Sequence, residues 1–554
     1  MNLRPVCRVL AVALAAAGLA ACSQSAKPQA KVHKISVKQA PAPVSEQVLQ
    51  RQSYSSPRTL DPSLAEGSPA QKIIEDLFEG LTTISEGGRV VPGVASSWTV
   101  SDGGKRYVFH LRANARWSNG KPVTAQDFIY AWQREVNPKT GAEYAQALKP
   151  IVNAEAIMTA KLPPSKLGVE APNPHTLIVH LNSPTPYFLY ELTDNYLYPL
   201  YPPAVRKWGD TWTRPEHIVS DGAFNLAAWV VNGHLTLDKN PYYWNAAKVR
   251  LRKVVYHTIT KPGSALSEYL AGDLEWTASP GAFPSSERQW VKKHLGDQLS
   301  IASYFGNAYL GYMVTRKPFN NRDLRLAMSM AVDRRILAKD VSHGFAEPAY
   351  SLVPPLRNYK QSVPAWAHWP RAKRIAKAQQ LYKAAGYSRQ HPLHVRVLYP
   401  SAGPSIRHFM EALQTMWRQN IGADVTLYNE QWKVYLQDTQ YGHSNLFWSA
   451  WIGDYPDPYT FAQLFDKGFA MNYGHFDDSA YNALISAADH ETDNQKRYRL
   501  FEKAGRIINR EMPYIPLYYY VAYRLIKPYV AGWKNNIMDR HLSQYMYILK
   551  HKVH

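Results

Sequence analysis

The stretch Ser449 to Phe461, SAWIGDYPDPYTF, sets two carboxylates, Asp454 and Asp457, among Trp451, Tyr455 and Tyr459. Gly453, Pro456 and Pro458 forbid a regular helix there, so the acids stand on an irregular turn. Two chemistries suit such a pair. Carboxyl groups about 5 to 9 Å apart can cleave a glycosidic bond, and carboxylates in apolar company can hold a cation, because a low dielectric strengthens their field. Asp-x-Pro is also a common way to open a turn, with no ligand involved. No other segment adds a catalytic signature: there is no G-x-S-x-G elbow, no H-E-x-x-H helix, no Walker lysine loop and no cysteine pair for zinc. The 19 histidines are scattered, and His234, His343 and His408 read as surface or structural residues. The residues alone indicate no catalytic residue, no metal ligand and no cofactor, and leave the plain turn standing beside the cation site.

The elements that must position this turn alternate between helix and strand. SPAQKIIEDLFEGL places Ile73, Ile74, Leu77, Phe78 and Leu81 on one helical face, with Ser68 as cap and Pro69 in the first turn. TAQDFIYAWQREV repeats that spacing from a Thr124 cap. KRYVFHLR alternates Tyr107, Phe109 and Leu111 on one side as a half-buried strand, and TLIVHL, HLTLDKN and KVVYHTI read likewise. RDLRLAMSMAVDRRILAKDV and IRHFMEALQTMWRQNIG predict two more helices, each followed by glycine. The result is a mixed α/β chain with more than one core.

A chain of 554 residues is too long for one core and predicts about three or four folding units at roughly 150 residues each. Its 37 Tyr and 16 Trp suit either an adaptable binding surface or half-buried positions in sheets. The amino end carries Arg4 and Arg8, then an uncharged run from Val9 to Ala21 and small residues before Cys22. That run is too short to span about 30 Å of hydrocarbon and reads as an export signal over 1-21. Leu19 to Cys22, LAAC, looks like a lipoprotein processing box in which Cys22 is acylated; a plain cut after an Ala-x-Ala site is the other reading. Only Cys7 and Cys22 exist, so processing leaves no internal disulfide. Residues 22-45, rich in Lys, Ala, Gln and Pro, read as a flexible tether. Removing the six cations of signal and tether leaves +15 of the formal net charge of +21, spread without a dense basic stripe, so nucleic acid is not an expected partner.

LDPSLAEGSPAQKIIEDLFEGLTT from Leu60 and VPGVASSWTVSDGGKRYVFHLRANARWSNGKPVTAQDFIYAWQR from Val91 resemble the opening of the bacterial extracellular solute-binding proteins of family 5, which deliver peptides to ABC importers. PFNNRDLRLAMSMAVDRR, NLFWSAWIGDYPDPYTF and IPLYYYVAYRLIKPYVAGW follow in the family's order and spacing, so the resemblance covers nearly all of the chain after the tether. It implies a three-domain periplasmic-binding-protein fold (class II-like, cluster C): two mixed-sheet lobes joined by a hinge, plus an extra inserted domain. The implied first domain is 46-79, 204-305 and 522-554, the inserted second domain 80-203, and the third 306-521. The resemblance further implies an extracytoplasmic monomer that captures a short peptide between the first and third domains and docks on a membrane permease.

By the same resemblance Asp454 receives the ligand's ammonium group, with Trp451 and Tyr455 beside it. The main chain of Glu66, Gly67 and Ser68 and the strand Ser449, Ala450, Trp451 and Gly453 bind the peptide backbone. Tyr144, Tyr304, Tyr309, Trp432, Trp451 and Tyr520 stand as pocket walls or as ordinary core. Where basic partners for the ligand's carboxylate are implied, the chain has Ser342, Ser405, Thr439 and Trp448, and the small Ala278 and Ser279 alter the pocket. His343 or Arg407 is the expected substitute, and a bulky Trp448 is expected to occupy ligand space. The cargo is therefore a short peptide or, as the alternative, a murein peptide, haem, a metal chelate or a saccharide.

Overall fold

The computed structural model of the protein describes residues 35–401 and 404–553. The export signal and Cys22 lie outside the described residues. The stretch read as tether does not remain free to residue 45: strand β1 (Ile35–Pro41) pairs antiparallel with β19 (Tyr547–Val553), which in turn holds β18 (Val530–Ala531). Val37 and the backbone of this lysine-rich segment complete a sheet edge, a role its polar composition did not signal.

The first lobe is built on a four-stranded sheet in the order β2 (Val48–Ser53), β11 (Lys253–Thr258), β10 (His234–Lys239), β9 (Phe224–Val230), with β2 parallel to β11 and the other pairs antiparallel. Leu49, Leu235, Leu237 and Val254 alternate inward as the period of two requires. A small hairpin of β3 (Thr82–Ile84) and β4 (Val90–Pro92) leads into the inserted domain. That domain is an antiparallel sheet in the order β5 (Ala95–Ser101), β6 (Arg106–Leu111), β8 (Thr176–His180), β7 (Val169–Asn173). The helix Ala125–Glu135 covers it, begun by a capping box between Thr124 and Asp127. Phe109, Leu177, Phe128 and Trp132 fill the space between helix and sheet.

The second lobe carries a six-stranded sheet, β13 (Glu347–Pro348), β17 (Tyr514–Leu525), β12 (Leu299–Tyr312), β16 (Leu446–Ile452), β14 (His394–Pro400), β15 (Asp424–Glu430). Leu310, Val397, Val425, Met410 and Trp417 form its core. A second cluster around Phe461, Phe501 and Tyr514 packs helices against its other side.

β12 and β17 are long enough to belong to both lobes. Their early pairing around Leu299 and Leu525 packs with Phe283 and Tyr269 of the first lobe, whereas Leu310 and Leu517 lie in the second. Between Ser303↔Val521 and Asn307↔Tyr519 the register slips, so Tyr304, Phe305 and Gly306 stand opposite Tyr520 alone. Such a bulge bends and twists the ribbon where it crosses between lobes.

Candidate ligand-binding cleft

Between the lobes, at that bulge, lies a cleft of about 690 Å³. The first lobe lines it with Ser68, Lys72, Ser279 and Arg288, the crossing strands with Tyr304 and Tyr520, and the second lobe with Ser342, His343, Phe409 and Ile452. Its polar charges are mostly answered within the protein: Glu75 meets Arg540 at 2.8 Å, and Asp539 is paired with Arg524 and lies 3.8 Å from Lys72.

The turn after β16 is fixed by one threonine. The buried Thr460 accepts hydrogen bonds from the Trp451 indole N–H at 3.0 Å and the Asp454 backbone N–H at 3.3 Å, and donates to Asp454 Oδ2 at 3.2 Å. The Gly453 N–H donates to the Phe305 carbonyl at 2.8 Å. A side chain at 453 would meet Thr460 Cγ2 at 3.0 Å and the Phe305 ring, so glycine is needed for this close approach. Tyr455 stacks on Tyr187 of the inserted domain, ring centroids 4.1 Å apart and 3° from parallel. Asp457 is engaged otherwise: it is buried, ion-paired with the fully buried Arg497, and accepts the Tyr459 N–H at 2.8 Å. The two acids therefore do not act as a matched acid and base.

Asp454 faces open solvent, yet protein surrounds it closely enough that desolvation raises its carboxyl pKa, against the lowering hydrogen bond from Thr460. It forms no ion pair among the described residues. Its charge is felt by the inserted domain. Glu191, buried with Oε2 unpartnered, is raised well above the carboxylate range by burial and then by Asp194 and Asp454. Asp194 is pushed up to about 7 by burial, although Arg540 lies 3.1 Å away. Tyr144 stacks on Tyr196 at 5.3 Å, and its hydroxyl is raised by burial and then by Glu66 and Asp454. Asp454, Glu191, Asp194 and Glu66 thus gather beside the cleft; Glu66 is paired with Arg58 at 3.1 Å, Asp194 with Arg540, and burial favours the protonated form of Glu191, so Asp454 is the acid among them whose charge is left to favour a cation.

β16 leads toward Asp454 with a free edge. β12 pairs with it from Leu446 to Ile452, but on its other side β14 pairs only at Phe447, opposite Leu398. Among the described residues no strand lies beside Trp448 to Ile452 on that side, leaving backbone donors and acceptors for an added strand.

The expected site residues divide accordingly. Ser68, Tyr304 and Tyr520 line the cleft, whereas Asp454, Gly453, Trp451, Ala450, Ser449, Tyr455, Glu66, Gly67 and Tyr144 are not in its lining; of these, Glu66, Gly67, Tyr144 and Asp454 lie close to one another, and Trp451 and Asp454 share Thr460. Tyr309 and Trp448 do not wall the cleft: both are buried in the second lobe, Tyr309 against Phe465 and Tyr514, and Trp448 in the cluster of Leu446 and Tyr435. The Trp448 carbonyl on the β16 edge accepts the Tyr435 hydroxyl. Trp432 is exposed on the helix Trp432–Gln440, stacked on Tyr435 outside the cleft lining. Thr439 is buried with its hydroxyl on the Tyr435 carbonyl, and the Ser405 side chain lies outside the described residues. Arg407 is exposed and bound to Glu411 at 2.8 Å, so it does not replace the missing bases; His343 does line the cleft. Sequence reasoning missed Glu191, Asp194, Tyr196 and Arg288, which ordinary helix and loop contexts conceal. It also missed Thr460, whose place six residues after Asp454 in the same motif was a readable signal.

A profile of bacterial extracellular solute-binding proteins, family 5 (middle region), matches residues 89–473. The chain is 35% identical over 509 residues to the periplasmic oligopeptide-binding protein OppA of Escherichia coli K12, spanning 91% of this chain and 93% of the relative. It is 36% identical over 512 residues to the probable deoxycholate-binding periplasmic protein YgiS of the same organism, spanning 91% and 94%. Among solved structures, the unliganded open form of the periplasmic murein tripeptide binding protein MppA superposes with a TM-score of 0.84 at 34% identity, over 92% of this chain and 98% of that one. No helix among the described residues is long and apolar enough to cross a membrane. With its hinged lobes, inserted domain and interlobe cleft, the chain belongs to the bacterial extracellular solute-binding proteins of family 5.

Proposed function

We propose that the protein captures short peptides in the cleft outside the cytoplasm and hands them to the permease of an ABC importer, held at a membrane by a lipid on Cys22. The observation that carries this reading is the unpaired edge of β16 running into the unneutralised Asp454. An extended peptide adds to that edge through main-chain hydrogen bonds that are blind to side chains, and its ammonium group meets Asp454. Domains at 46-79 with 204-305 and 522-554, at 80-203, and at 306-521 would then close as units about β12 and β17. The superposition on the unliganded open form of a relative supports an open arrangement of the lobes. The protein performs no chemistry in this reading.

Mass spectrometry of the protein extracted from membranes tests the anchor and the cargo together. The expected intact mass begins at an acylated Cys22, and denaturation releases peptides of a few residues. Calorimetry with tri- to pentaalanine, free and N-acetylated, supplies the binding test: acetylation removes the ammonium charge and is expected to cost at least about tenfold in affinity. Release of a murein peptide, haem, a metal chelate or a saccharide, with no heat from any alanine peptide, would replace the peptide reading with that cargo.

A further inference from the structure

Arg288 begins the helix Arg288–His294 of the first lobe and reaches the second. Its Nη1 donates to the Ser342 carbonyl at 3.1 Å, and its guanidinium lies over the rings of Phe345 at 4.8 Å and Tyr523 at 5.8 Å. The side chain lines the cleft, its Nε is buried without a hydrogen-bond partner, and among the described residues it forms no ion pair.

Arg288 is half-buried, and four arginines that are buried are treated differently. Arg334 is saturated by the carbonyls of Ser329 and Pro516, while Arg497, Arg524 and Arg540 each hold a carboxylate. Beside Arg288, Lys292 of the same helix donates to the His343 carbonyl at 2.7 Å. The acids of the cleft lining, Glu75 and Asp539, already have basic partners. The protein therefore offers an acid without an ion pair, Asp454, beside the cleft and a guanidinium without one, Arg288, on the first-lobe wall, among the described residues.

We propose that Arg288 receives the terminal carboxylate of the bound peptide, a role that rests on the peptide reading above. In the open cleft water reaches only the part of the guanidinium that is not already covered, Nε being buried. When the lobes close that water leaves, and a buried cation without a counter-ion is costly. Ser342 holds Nη1 and Phe345 covers one face, so Nη2 remains for a charge-assisted hydrogen bond to a carboxylate. The site explains how a carboxylate is met although Ser342 itself carries no charge.

The test is calorimetry on the full chain with tri-, tetra- and pentaalanine as free acids and as C-terminal amides. The wild-type protein is expected to prefer the acid of the best-bound length by at least about tenfold. Arg288→Gln abolishes that preference and leaves the amide's affinity within about twofold, and Arg288→Lys keeps part of it. If Arg288→Gln weakens acid and amide alike, the residue is only a strut between lobes. If the preference survives in Arg288→Gln, another group holds the carboxylate; in both cases the proposal falls while peptide binding stands. Wild-type binding with no acid preference overturns it in the same way, whereas no binding of either form removes the peptide reading and this proposal together.

Discussion

Asp457 and Asp454 stand three positions apart on one turn, and what surrounds each gives it a separate task. Asp457 is buried against Arg497, so Asp457→Asn leaves a buried guanidinium without its counter-charge and is expected to cost about 3–5 kcal/mol of stability. Among the described residues Asp454 has Thr460 as its side-chain partner and no ion pair, and burial raises its carboxyl pKa. Asp454→Asn is therefore expected to leave the unfolding midpoint unchanged or higher, while weakening peptide binding by about 2–5 kcal/mol. Urea unfolding and calorimetry on both variants separate the roles. An Asp454→Asn protein that binds as tightly as wild type would remove Asp454 from the site. The motif was legible in sequence because its prolines, glycine and aromatics are local; that Asp457 belongs to Arg497 was not, since the two stand forty positions apart.

The elements were legible wherever local pattern and tertiary burial agree. The alternation of Tyr107, Phe109 and Leu111 gave β6, and the Thr124 cap gave the helix Ala125–Glu135. RDLRLAMSMAVDRRILAKDV was expected as one helix but breaks: Arg322–Met330 ends, Asp333 caps a new turn through the Arg335 and Ile336 N–H groups, and Leu337–Val341 widens. The cause is Arg334, whose side chain turns inward to the Ser329 and Pro516 carbonyls, a demand no periodicity announces. The bulge in β12 was equally hidden, yet it sets the hinge. At Gly306 an added Cβ would lie 2.9 Å from Tyr520 Cδ2 and 3.0 Å from the Trp451 carbonyl oxygen, besides striking Ile452. Because one of those contacts is backbone, Gly306→Ala is expected to cost about 1–3 kcal/mol of stability and to displace the free edge of β16, weakening every peptide length together. Retained stability and affinity would show that the crossing strands are looser than this packing implies.

Across the whole molecule, the fold keeps several carboxyl groups protonated at neutral pH. Glu79, hydrogen-bonded to Tyr243 and Trp244 at 2.6 Å each, is raised by burial to about 7; Glu135, wholly buried, to about 8; and Asp194 to about 7. In the unfolded chain such groups ionise near 4, so between about pH 4 and 7 the native state binds more protons and stability falls as pH rises. His541 opposes this: burial first, and then Arg524, lowers it to about 4, so it favours the native state increasingly up to its unfolded pKa of about 6.5 and adds nothing further above that. Lys72, lowered by burial to about 8, acts only at higher pH. The carboxyl groups are the more numerous and stay protonated furthest into the neutral range, so they set the sign. The unliganded protein is expected to melt at a lower temperature at about pH 8 than at about pH 5.5. Glu135→Gln, which keeps the shape of the protonated acid, should flatten that slope by its share. Thermal unfolding followed by circular dichroism across this range decides the matter, and a midpoint that rises toward pH 8 would mean that these acids are ionised and solvated in the native protein.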